Sequence, residues 1–470
     1  MPAFALISAP EVEAMHHASL RILEESGIRL NDPQGRQIFY AAGARLQDER
    51  VLLPPELVES CLALCPRSVH LRGRAGTGRT LGDGGLYFHN LGGARDVYDP
   101  VSGQKRLATR QDVCDATRLL DGLENCDSIT PFFTPCDVPG ELMSLSMYRS
   151  ALSHTTKPVH GPGMQYPAEV KYALELAAVL GNPREMLSLA VSPVSPLAIP
   201  DHEVQAILAI ARAGVAFGPL PCPTAGSTAP LTLAGAIAQQ NAEVLAALVL
   251  AQLVQPGLPI FYCGRLAMLE PRTGISVWGG VELGLASAGT VQMAKRYGLP
   301  VNVYGFSTNA HTLDIQSGFE RGLNALLPAL AGADELSGIG EMEAGVSGSF
   351  SQMVADNEFA GSIRRARRGF SVNPDTLAVE VITAVMNGTH NFLGQKHTMK
   401  HLKAGEVQLT RLAERGSWEQ WQAGGKNGLA ERAQAQASKI LSEHQVPPLD
   451  DTQEHELDRI MAAAEKELVK

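Results

Sequence analysis

Excess positive charge, membrane-length apolar runs and paired cysteine motifs are all missing from this 470-residue chain. Thirty-nine Lys and Arg stand against 49 Asp and Glu, a formal net charge of −10. That balance argues against a nucleic-acid or anionic-membrane surface, because either needs a concentrated basic face. The nearest approach to one, Arg364, Arg365, Arg367 and Arg368, reads as a solvated helix face. The richest apolar stretch, 229–254, is broken by Gln239, Gln240, Asn241 and Glu243, so no membrane span is predicted. Residues 1–13 lack the basic region of a signal peptide, and a cytoplasmic protein is expected. The seven cysteines have no paired CxxC spacing, which fits neither a disulfide framework nor a structural zinc site. Reduced thiols and no metal site are expected. The chain also lacks GxSxG, HExxH and Walker signatures, a GxGxxG after a first strand, and a convincing Schiff-base lysine at a strand end.

What is present from about residue 128 onward is a recurring unit of apolar helix, glycine, short apolar strand and polar loop. The glycines are Gly181, Gly214, Gly257, Gly298 and Gly332, separated by 33, 43, 41 and 34 residues. Each stands where a helix ends, the position that favours a left-handed cap. Strands are predicted at 186–191, 215–217, 258–263, 299–305 and 335–339, with earlier ones at 128–133 and 158–160 and a late one near 381–386. Their unbroken hydrophobicity is that of parallel strands covered on both faces. Eight such strands predict an α/β fold, a TIM (β/α)8 barrel spanning 85–405, which begins with a hairpin pairing 86–89 and 97–98. An N-terminal helical extension covers 1–84, and charged helices over 406–470 pack on the barrel. The helix at 232–254 is apolar nearly all round and must be covered, by other helices of the chain or by a second copy in a homo-oligomer.

In such a barrel the chemistry sits at the carboxyl ends of the strands. The residues there are Phe88, His89 and Asn90, then His160, Arg265, Phe306, Asn309, His311 and Asp314, and finally Glu341, Phe350 and Asp356. Several have plain structural alternatives. Asp314 suits a helix N-cap, and a lone His89 or His160 is commonly a hydrogen-bonded interior histidine.

The segments 221–236 (PCPTAGSTAPLTLAGA), 241–246 (NAEVLA), 314–320 (DIQSGFE) and 355–358 (ADNE), together with the region of Trp418, resemble the trimethylamine methyltransferase superfamily. The resemblance covers nearly the whole chain. It implies a barrel that moves a methyl group from a methylated amine to the Co(I) corrinoid of a cognate partner protein, with no tightly bound cofactor of its own. Members acting on trimethylamine carry pyrrolysine near the stretch matching Thr308 to His311, where this chain has ordinary residues. It therefore resembles the branch lacking pyrrolysine, which uses quaternary amines such as glycine betaine.

A quaternary ammonium leaves as a neutral tertiary amine, so no general acid is required and no catalytic residue is assigned. Such a site has to orient and desolvate the cation. Phe88, Phe306 and Phe350 are the expected cage, Glu341 the counter-charge, and His89, Asn309, His311 and Arg265 the donors for a betaine carboxylate. A carboxylate-free amine such as choline is the alternative substrate. An intracellular protein that binds or senses quaternary amines without transferring methyl is the alternative function.

Overall fold

The structure is a computed structural model that describes residues 4–100, 102–161 and 163–469. Tyr262–Gly264, Val301–Tyr304, Glu335–Ile339 and Tyr87–Asn90 pair in that order as a parallel four-stranded sheet. Val159–His160, Leu187–Val191 and Ala216–Pro219 form a parallel three-stranded one. The ladders stop at the edges of these sheets. Single parallel bridges then link them, Phe217 to Ile260 on one side and His89 to Ser128 and Ile129 to Val159 on the other. Nearly every strand residue is buried, because helices cover the outside, and this is the source of the unbroken apolar runs.

Two sequence expectations are corrected. Residues 86–89 and 97–98 do not pair with each other. Tyr87–Asn90 joins the parallel sheet beside Glu335–Ile339, and the hairpin is made by Asp96–Tyr98 with Lys105–Leu107. The strand near 381–386 is instead the helix Val379–Met386. Its β-branched residues read as a strand, yet it pairs with no strand among the described residues, and a helix satisfies its backbone groups internally. Tyr87–Asn90 instead supplies a parallel strand at the edge of the four-stranded sheet.

Segment 1–84 is more than helical. Ala9–Arg21, Pro33–Ala41 and Pro55–Leu64 are joined by a three-stranded antiparallel sheet and by the hairpin Val69–Arg72 with Gly78–Leu81. These N-terminal helices, with Asp201–Ala213 and Val281–Tyr297, cover Leu233–Val254, which is buried without a break from Ala236 to Gln252. That helix is long and apolar enough to cross a membrane, but it is enclosed by its own chain. No second copy is needed to cover it. At the other terminus, Leu429–Glu443 packs on Arg110–Asp121 and Phe350–Arg368, and Asp451–Leu468 on Pro167–Leu180. Leu457, Ile460 and Ala464 form the apolar seam of the last helix.

Candidate functional site

A polar network fills the space between the parallel sheets. Glu335 begins its strand fully buried and meets Arg79 of the N-terminal hairpin at 2.7 Å. Hairpin positions 69, 71, 79 and 81 all point inward, and Arg79 is the one charged residue in an otherwise apolar set. His160 places Nε2 3.1 Å from Glu335 and also touches Arg79, while Nδ1 bonds Ser188. His89 faces Thr130 at 3.0 Å and Asn302 at 2.8 Å. Burial pushes the His89 imidazole down to about 3 and lowers His160 as well, so both rings are neutral. For Glu335 burial acts upward, but the Arg79 guanidinium, helped by the hydrogen bond from His160, outweighs it and holds the carboxyl well below its usual range. The ligand atoms of His89, His160 and Glu335 lie within 4.8 Å of one another, a spacing that suits a metal ion. Arg79 sits against His160 and Glu335 and supplies the positive charge there.

At the carboxyl ends of the strands a second set converges. Glu341 follows Gly340, whose φ of +85° and close approach to Met353 and Phe132 leave no room for a Cβ. One Glu341 carboxyl oxygen accepts from Ser307, and the other is buried without a partner. Burial raises this carboxyl to about 8, against the opposing pull of Ser307 and Arg321. Arg321 is itself buried, spans the Phe306 and Glu341 carbonyls and pairs with Asp356 at 3.4 Å. Glu341 also acts on the neighbouring Tyr304 phenol, which burial first and this carboxylate second raise far above the usual range. Tyr304 and Trp278, both half-buried, meet edge to face at 5.3 Å. The Arg265 guanidinium lies 4.5 Å from the Tyr304 ring centre and donates to Asn302 and to the Gly264 carbonyl. Among the described residues Arg265, 3% exposed, has no carboxylate partner within ion-pair distance.

The structure separates the residues singled out by sequence. Phe88 and Phe306 meet edge to face at 5.7 Å, and Arg364 lies 5.0 Å from the Phe88 ring centre. Phe350 packs instead against Phe133 at 6.1 Å, so the three phenylalanines do not surround one space. Asn309 is a latch. Its Oδ1 accepts the Trp278 and Gly279 amides at 2.8 and 2.7 Å, which fixes the loop carrying Trp278. The side chain of His311 is 78% exposed and lies 3.6 Å from Glu343, at the rim. Asp314 caps the helix Ile315–Ala331 through the Ser317 amide. Sequence reasoning passed over Trp278, Tyr304, Arg79 and Glu335. Trp278 carried a usable signal, being one of only three tryptophans and set in the stretch between the predicted strands 258–263 and 299–305.

Comparison with known proteins bears directly on this arrangement. The trimethylamine methyltransferase (MTTB) family matches residues 1–469. The trimethylamine methyltransferase MttB of Desulfitobacterium hafniense is 32% identical over 94% of this chain and 90% of its own. That of Methanosarcina barkeri is 31% identical over 98% and 95%. A glycine betaine methyltransferase of D. hafniense Y51 is 29% identical over 100% and 98%. Among solved structures, the M. barkeri monomethylamine methyltransferase (MtmB) shares the fold, with a TM-score of 0.52 at 14% identity over 93% of each chain. The chain therefore belongs to the trimethylamine methyltransferase family, is a methyltransferase, and, with no pyrrolysine among its 470 residues, stands in the branch that lacks it.

Proposed function

We propose that the protein transfers a methyl group from a carboxylate-bearing quaternary amine, glycine betaine or a close relative, to the Co(I) corrinoid of a partner protein. The observation that carries this reading is Arg265, a buried guanidinium without an ion-pair partner beside Tyr304, near a Glu341 carboxyl that has one oxygen free. A zwitterion satisfies both groups. Its carboxylate pairs with Arg265, and its ammonium lies against the Trp278 and Tyr304 rings with Glu341 as counter-ion. Desolvation favours methyl loss, because the cationic ammonium centre becomes an uncharged tertiary amine nitrogen as the methyl leaves, while the carboxylate stays paired with Arg265. The residues of this chain bind, orient and dehydrate the methyl donor. The corrinoid of the partner protein would be the methyl acceptor and supply the nucleophile.

The (β/α)8 reading of the fold is supported by the bridges that join the two parallel sheets. We divide the chain at 84 and 405, with a corrinoid protein as partner. Seven free cysteines support a cytoplasmic location.

The test mixes the protein with reduced corrinoid, free or on a cognate partner, and follows cobalt absorption across glycine betaine, proline betaine, carnitine, choline and trimethylamine. Methyl-Co(III) is expected with a betaine. Binding of an amine without any cobalt change would favour the sensing protein. Arg265→Met is expected to weaken betaine binding by roughly 10- to 100-fold, since a hydrogen bond to a charged group contributes about 1.5–3 kcal/mol. Choline binding, measured by calorimetry, should stay nearly constant. Equal losses for the two would remove Arg265 from the carboxylate role.

A further inference from the structure

Residues 370–409 stand apart from the rest of the protein. Twelve large apolar side chains in these forty residues are exposed, among them Leu393 (81%), Leu409 (74%), Phe370 (73%), Val372 and Val379. The segment has structure of its own, with helices Val379–Met386 and Lys396–Lys403, and Lys400 of the second pairs with Asp375, which precedes the first, at 2.7 Å. Val385 is its one buried apolar side chain. At about 150–200 Å² for each large apolar side chain, the exposed portion comes to on the order of 1,000 Å². A typical monomer's largest apolar patch is roughly 300–600 Å², whereas a stable interface covers about 800 Å² on each partner.

We propose that this arm is the interface through which two copies of the chain associate. Its position selects that occupant over the methyl acceptor. Helix Phe350–Arg368 leads away from the strand carboxyl ends. Near its far end Arg364 and Arg367 bond the carbonyls of Leu86, Gly84 and Ala333, which immediately precede the strands Tyr87–Asn90 and Glu335–Ile339. The arm therefore springs from the amino ends of the strands, on the face opposite Glu341 and Trp278. An acceptor protein must reach that other face and leave after each turnover, and a large apolar contact on the wrong face serves neither need. A second copy presents the same arm and leaves both candidate sites open. The arm is also electrically neutral, with Asp375, Glu380 and Glu406 balanced by Lys396, Lys400 and Lys403. The net charge of −10 thus lies elsewhere on the chain and adds no repulsion at the contact.

The experiment is light scattering after size exclusion, on the full chain at micromolar concentration. A mass of two or more times 50.1 kDa is expected. The combined variant Val379→Glu, Leu393→Glu and Leu409→Glu alters exposed positions only and should run at 50.1 kDa with unchanged circular dichroism. A monomeric wild type overturns the proposal, as does a variant that folds and keeps the wild-type mass. If the variant does not fold, hydrogen exchange on the wild type decides the question. Protection of residues 379–403 should fall on dilution through dissociation, and concentration-independent exchange overturns the interface. None of these readouts depends on catalysis, so they stand or fall apart from the methyl-transfer reading.

Discussion

Glu341→Gln is expected to make the ligand-free protein more stable at high pH while removing most of its affinity for a quaternary ammonium. Burial holds the Glu341 carboxyl at about 8 in the folded protein, against about 4.3 in an unfolded chain. The folded state therefore binds an extra proton between those values. Its stability is full below the unfolded pKa and falls as pH rises through 8. A neutral glutamine is exempt from that loss. By pH 9 the variant should exceed wild type by a few kcal/mol, from about 1.4 kcal/mol per pKa unit, and the two should converge near pH 4. Thermal melts across that range check the sign. Substrate affinity runs the other way. A cation selects the ionised carboxyl, so wild-type affinity should rise roughly tenfold from pH 7 to 9, as expected for a single titration with pKa near 8. Proton release should accompany binding. The variant should bind weakly and without this pH dependence. A wild-type affinity that stays flat from pH 7 to 9 would remove Glu341 from the site.

Much of the fold was legible because its cause is local. The apolar strands and the helix-ending glycines are short-range signals, and Gly214, Gly298 and Gly332 do cap helices in the left-handed conformation. Gly181 does not, since its φ of 165° is extended backbone. What misled was pairing. The sequences 86–89 and 97–98 look like the arms of a hairpin, but Tyr87–Asn90 finds its partner in Glu335–Ile339, some 250 residues away. No local pattern announces that. The site was legible only in part for the same reason. Glu341 and Arg265 could be placed by counting just past the ends of strands. Phe88, Phe306 and Phe350 have the right chemistry for a cage, but their rings meet Arg364, one another and Phe133 rather than a shared space. Arg79 was out of reach entirely. It lies in the N-terminal hairpin, within a segment that reads as a helical extension outside the barrel, and its partner Glu335 opens a strand rather than closing one.

Arg79→Met should be among the most destabilising single substitutions in the molecule. Its guanidinium is 2% exposed and is the nearest cation to Glu335, itself fully buried. Removing one member of a buried pair leaves the other as an uncompensated charge, a cost of about 3–5 kcal/mol. His160 and His89 cannot replace it, since burial keeps both rings neutral. In wild type the depressed Glu335 pKa contributes stability that is present above the unfolded carboxyl pKa and lost as pH falls through the folded value. In the variant, burial acts without Arg79 and the folded pKa rises. The stability gap between the two proteins should then be widest at neutral pH and should narrow toward pH 4, as the stranded carboxylate takes up a proton. Combining Arg79→Met with Glu335→Gln removes both charges and should recover most of the loss, because a neutral pair of similar shape has little to desolvate. Urea unfolding of the four proteins at pH 7 and pH 4.5 completes the cycle. A double variant no more stable than Arg79→Met alone would mean that the hairpin is held by its apolar side chains Val69, Leu71 and Leu81, and not by the charge it carries into the interior.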